Sequence, residues 1–221
     1  MLSREEQQYI LSLVKREHQY VLDKIGFDST LKEVGHSFGE KYEEVMANKL
    51  IEIDDRFALP VKIPGKGKQT RKMEDLTFKS HFINIKFGYN KKGNPNMSTI
   101  NRLIDRLMSD KYREKKERGY PQIDSYWIIS VDSNNHHICF FNLYEHLGFT
   151  NLNMGPQQLM LKEKVFYEQF DQEKDYTLPE REILLKLVEM REIATEEHIQ
   201  RRKKQDKSSK ERVYDYLQIP H

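Results

Sequence analysis

The chain has 221 residues, 37 Lys or Arg against 35 Asp or Glu, and a formal net charge of +2. One-third of it is charged and 37% hydrophobic, which fits one domain, or one core with helical additions. A single cysteine, Cys139, excludes an internal disulfide framework and offers no CxxC metal pair. No run approaches the roughly 18–20 apolar residues needed to cross a bilayer. The opening "MLSREEQQYI" lacks the basic-then-apolar order of a secretion signal. The expectation is therefore a soluble, intracellular chain.

Residues 3–25 have the pattern of an amphipathic helix. Ser3 is placed to cap it, with Glu6 three positions on as a capping box. Ile10, Leu13, Val14, Tyr20, Val21 and Ile25 form the stripe, and Gly26 ends it. After a loop with Gly35 and Gly39, "GEKYEEVMANKLIEI" makes a second helix with Tyr42, Val45, Met46 and Leu50 on one face. Residues 56–73 hold two prolines, two glycines and six basic residues, the marks of a loop or loose hairpin.

Period-two character follows in Leu76, Phe78 and "HFINIKFG". In a regular strand Phe82 and Asn84 point one way and Ile83 and Ile85 the other, so Asn84 shares a face with Lys86. After the turn-rich "GYNKKGNPN", Ser98 or Thr99 caps a helix, "TINRLIDRLMSDKY". Two apolar strands, "SYWIISV" and "HICFFNLY", are joined by "DSNNH". "NLNMGPQQLMLKEKVF" is ambiguous between strand and helix. A long helix starts near Pro179 and runs to about Gln205, ending in a basic tail that is expected to fray. The order of elements gives an α/β or α+β sheet flanked by helices.

The charge is unevenly distributed. Between Arg56 and Ile104 the only acids are Glu74 and Asp75, while Arg56, Lys62, Lys66, Lys68, Arg71, Lys72, Lys79, Lys86, Lys91, Lys92 and Arg102 are basic. A basic middle in a near-neutral chain fits a polyanion-facing surface, with a solvated loop face as the plain alternative. The acidic exceptions matter. Phosphodiester hydrolysis needs an activated water, charge stabilisation at phosphorus and a neutralised leaving oxygen. Carboxylates that hold Mg²⁺ beside the phosphate, with a lysine nearby, supply these. Asp75 enters one strand, Asn84 and Lys86 share a face of the next, and Glu40, Glu43 and Glu44 lie on the helix upstream.

Over roughly residues 34–165 this pattern resembles the PD-(D/E)XK nuclease superfamily, and most of all its type II restriction endonucleases. The resemblance implies an α/β fold with a central mixed β-sheet flanked by helices. It implies residues 1–33 as an N-terminal helical arm, 34–170 as the nuclease core with basic DNA-facing loops, and 171–221 as a C-terminal helix and basic tail. Asp75 matches the metal-bridging aspartate, Lys86 the lysine and Glu43 the helical glutamate, with Glu40 as its substitute. Mg²⁺ is the implied cofactor, with no small molecule beyond it. Double-stranded DNA, cut at a short sequence in the cytoplasm of a prokaryotic cell as part of a restriction-modification system, is the implied substrate. The "NMGPQQLMLK" segment is similar to a glycine–glutamine stretch of some such enzymes. Cutting both strands of a palindrome implies a homodimer.

One slot departs from the pattern: Asn84 stands where the superfamily has an acid. It is a neutral ligand, or it marks an inactivating change, or Glu74 or another acid is the true ligand. An Asp at a strand start is also an ordinary turn cap, and a Lys at a strand end an ordinary snorkelling side chain. For DNA, Lys66, Lys68, Arg71 and Lys72 form a cationic loop. Asn90, Lys91, Lys92, Asn94 and Asn96 follow Lys86 and have base-edge hydrogen-bonding chemistry. Ser98, Thr99 and Arg102 stand at a helix start suited to a phosphate. Gln157, Gln158 and Lys162 are weaker candidates. His136, His137 and Cys139 fall short of the four ligands of a structural zinc site. A nuclease for RNA or repair structures lacks the aromatic-rich RNA-binding sheet motif. A non-catalytic, sequence-specific DNA-binding protein explains the basic loop without metal, and Asn84 counts for it.

Overall fold

The computed structural model describes residues 1–27, 36–60, 75–88, 96–108, 125–132, 137–153, 158–171 and 178–218. It is an α/β structure with a five-stranded mixed sheet flanked by helices. The elements are α1 (Arg4–Ile25), α2 (His36–Ile53), β1 (Phe57–Ala58), β2 (Leu76–Phe78), β3 (His81–Gly88), β4 (Asn96–Thr99) and α3 (Ile100–Leu107). β5 (Trp127–Asp132), β6 (His137–Asn142), a 3₁₀ segment (Leu143–Phe149), β7 (Thr150–Asn153), β8 (Gln158–Leu161), α4 (Glu163–Gln169) and α5 (Glu180–Leu217) complete them.

The main sheet runs β1-β2-β3-β5-β6. β3 and β5 pair in parallel, in register Asn84↔Ile128 and Lys86↔Ser130, and the other described pairs of the sheet are antiparallel. The ambiguous segment resolves into β7, β8 and α4, and β4-β8-β7 make a small antiparallel sheet.

Alternation sorts the side chains into two cores. Ile83, Ile85 and Phe87 of β3, Trp127, Ile129 and Val131 of β5, and Ile138 and Phe140 of β6 meet α1 and α2 on one face. Tyr126, Ile128 and Phe141 meet α3, β8, α4 and the root of α5 on the other. All six residues of β5 are buried, as a strand covered on both faces requires.

α1 is capped as expected. Ser3 Oγ accepts from the Glu6 N–H at 3.2 Å, Glu6 Oε2 accepts from the Ser3 N–H at 2.8 Å, and Gly26 takes the left-handed conformation at φ 65°. Its role differs from that of an arm: Ile10, Leu13, Val14, Val21 and Leu22 are buried in the first core. Tyr20, placed on the stripe by periodicity, is exposed, with the Lys49 and Lys24 ammonium groups over its ring. His18 joins the buried face instead, its Nδ1 2.8 Å from the Tyr42 hydroxyl.

α3 is shorter than the sequence pattern, and Thr99 is its N-cap without a side-chain cap bond. α5 is longer: the basic stretch expected to fray is helical to Leu217. Its root buries Ile183, Leu187 and Ala194, and no described residue beyond Ala194 is buried.

Candidate active site

β2 and β3 form a tight hairpin with pairs Phe78↔His81, Thr77↔Phe82 and Leu76↔Ile83. The chain bends at Asp75, so β2 stops while β3 continues. The Asp75 N–H donates to the Ile83 carbonyl at 3.0 Å. Its carboxylate Oδ2 accepts from the Ile85 N–H at 2.6 Å. In a continuing antiparallel ladder a backbone carbonyl would fill that place. The aspartate thus bonds the neighbouring strand β3, whereas the cap weighed from sequence would bond its own turn.

α2 arrives at the same end of β3. Gly39 lies against it, where an added Cβ would sit 3.8 Å from the Phe87 carbonyl oxygen. The Tyr42 ring stacks on Phe87 with centroids 4.4 Å apart. Seated so, α2 brings Glu43 to Lys86, whose Nζ donates to Oε1 at 3.2 Å. Both side chains are about one-fifth exposed, at 22% and 19%.

Burial pushes the Glu43 carboxyl up to about 7. Lys86 opposes that rise, and the nearby charges of Asp75 and Glu40 add to it. Asp75, Glu40 and Lys86 thus all act on Glu43. A desolvated carboxylate raised by its acidic neighbours gains when a cation joins it.

Asn84 is placed otherwise. It is buried at 5% exposure, and its Nδ2 donates to the Tyr126 hydroxyl at 2.8 Å. It lies on the Lys86 face of β3 but in the interior, beside the second core. No sequence signal marked Tyr126, which reads as one more apolar residue of "SYWIISV". Ser130, the register partner of Lys86, was likewise hidden; it is buried, its Oγ 3.0 Å from the Tyr167 hydroxyl.

Among the described residues, no group of three or more His, Cys, Asp or Glu stands together as a ligand set. The carboxylates placed here are Asp75, bonded to the Ile85 N–H, and Glu43, paired with Lys86. Mg²⁺ keeps several waters and is often held by one or two carboxylates. The Cys139 thiol is pushed up to about 12 by burial, and the His137 ring stacks on Tyr167 with centroids 5.2 Å apart.

Glu74, Lys66, Lys68, Arg71, Lys72, Asn90, Lys91, Lys92, Asn94, His136 and Gln157 lie outside the described residues. Asn96 opens β4, opposite Met160. Ser98 and Thr99 are half-buried and pair with Leu159 and Gln158 of β8, which gives Gln158 a strand role. Arg102 is half-buried on α3, and the Lys162 N–H donates to the Phe149 carbonyl. No described helix is long and apolar enough to cross a membrane.

No protein-family model matches the chain, and no curated protein does. Among solved structures, one similar chain is a restriction endonuclease in complex with substrate DNA. It is 14% identical, with a TM-score of 0.43, over 75% of this chain and 82% of that one. A likeness this distant leaves the activity to be argued from the chemistry of the site.

Proposed function

We propose that this chain is a Mg²⁺-dependent nuclease of the PD-(D/E)XK type, cutting double-stranded DNA at a short sequence as a homodimer. The observation that supports the proposal is the Lys86–Glu43 ion pair on β3 and α2 together with the charge of Asp75 acting on Glu43. Asp75 and Glu43 would hold the cation. When bound, Mg²⁺ polarises the phosphate and lowers the pKa of a coordinated water. Lys86 exchanges its bond to Glu43 for one to a phosphate oxygen, and its charge offsets the negative charge that gathers at phosphorus. Asp75 keeps one oxygen on the Ile85 N–H, which fixes the other in place. The basic residues that precede β2 and follow β3 in the sequence hold the DNA backbone.

The buried Asn84 amide favours a second reading, a DNA-binding protein without catalysis. An interior amide bonded to Tyr126 is ordinary core construction and adds no charge to a metal site.

Incubation with plasmid and Mg²⁺ separates the two. Discrete fragments are the expected result and smearing means cutting without sequence preference. Intact plasmid with a retained gel shift establishes the binding protein and refutes the nuclease.

A further inference from the structure

α5 has 38 residues, and its contacts with α3, β7 and the 3₁₀ segment involve its root. The stretch Arg201 to Arg212 carries seven basic residues, Arg201, Arg202, Lys203, Lys204, Lys207, Lys210 and Arg212, against Asp206 and Glu211. All of these are exposed. A helix this polar all round, with no buried stripe, is held neither by a core nor by its own propensity alone.

Its charges work against it. Arg201, Lys204, Lys207 and Lys210 follow one another at three-residue spacing, along one ridge of the helix surface. Lys203 and Lys207 add a like pair at four. Like charges at these spacings destabilise a helix. Lys207 pairs with Glu211 at 3.9 Å, but with side chains 80% and 50% exposed that pair offsets little. A helix that repels itself along one ridge is relieved by a polyanion laid against it.

We infer that the distal half of α5, residues 201–212, is a second nucleic-acid contact, an arm that grips the phosphate backbone of duplex DNA away from the cluster at Lys86. This rests on the reading of DNA as partner, and extends it to a surface with no part in the chemistry. The segment is about 17 Å long at 1.5 Å per residue, a length over which a duplex presents about ten phosphate charges. Phosphate contacts carry no sequence information, so the arm adds affinity and leaves specificity to other contacts.

The test uses the full chain in EDTA with a labelled duplex of about 30 base pairs, followed by fluorescence anisotropy across a salt series. The variant carries Arg201→Gln, Lys204→Gln, Lys207→Gln and Lys210→Gln. Glutamine keeps the helix, which circular dichroism checks. Each lost phosphate contact lowers the slope of log affinity against log salt by about 0.9. The expected result is a slope shallower by about 2 to 4 and a tenfold or greater loss of affinity near 0.1 M salt. A variant with the wild-type slope overturns the arm while leaving DNA as partner intact. A wild-type chain that binds no duplex overturns the DNA reading and the arm with it. A variant that changes oligomeric state by light scattering but not the slope overturns the arm in favour of contact between copies of the chain.

Discussion

Glu43→Gln tests whether the charge cluster is a functional site or only a structural ion pair. Burial and the acids nearby raise Glu43 from 4.5 to about 7, so the folded chain holds its proton more tightly than the unfolded one. The sign follows from linkage. The stabilisation is full below pH 4.5 and is lost as pH rises through about 7. At 1.36 kcal/mol per pH unit the loss reaches about 3 kcal/mol. Glutamine imitates the protonated acid and carries no such loss. In EDTA the variant should therefore unfold at higher urea than wild type near pH 8, by up to about 3 kcal/mol, and the two should converge near pH 5. Mg²⁺ should then stabilise wild type and leave the variant unmoved. A variant less stable than wild type near pH 8 without metal would show that Glu43 and Lys86 form a stabilising pair, and the site argument would fail.

Four further outcomes are expected. Lys86→Ala should cut cleavage by about 10²–10³ while leaving the gel shift in place, because it removes one charge-stabilising donor; full activity would displace the active site. Asp75→Asn keeps an acceptor for the Ile85 N–H, so the urea midpoint should shift by no more than about 1 kcal/mol while Mg²⁺-dependent cleavage is lost; unchanged metal titration would remove Asp75 from the site. Asn84→Asp restores the acid of the superfamily pattern two positions before Lys86 and should raise cleavage of plasmid at least tenfold; a flat rate would leave Asn84 with only its core bond to Tyr126. Leu187→Ala should cost about 2–5 kcal/mol and Leu185→Ala, on the exposed side of α5, less than about 0.5, measured by denaturation; similar costs would mean that the α5 root is not seated.

Much of this fold was readable because the residues involved obey local rules. Ser3, Glu6 and Gly26 mark both ends of α1 by their own chemistry. "HFINIKFG" declares its alternation because one side of β3 packs against α1 and α2. The site was legible in part for the same reason: Asn84 and Lys86 share a face at a spacing of two, and Glu43 follows from the phase of α2. Tertiary facts were not legible. Nothing local says that α1 is covered by α2 and β6, so it reads as an arm. Nothing in "SYWIISV" says that the Tyr126 hydroxyl meets Asn84 across the parallel pair. The ambiguous "NLNMGPQQLMLKEKVF" runs through two four-residue strands, the first begun one residue earlier, and into a seven-residue helix, each too short to show a period.

The bend at Asp75 has a consequence for how such a chain can change. Its carboxylate takes a position beside Ile85 that a backbone carbonyl fills in a regular ladder, so one side chain both secures the strand and acts on Glu43. An exchange at Asp75 is then felt by the backbone of β3 as well as by its charged neighbours. Strand and charge cluster cannot drift independently at this position.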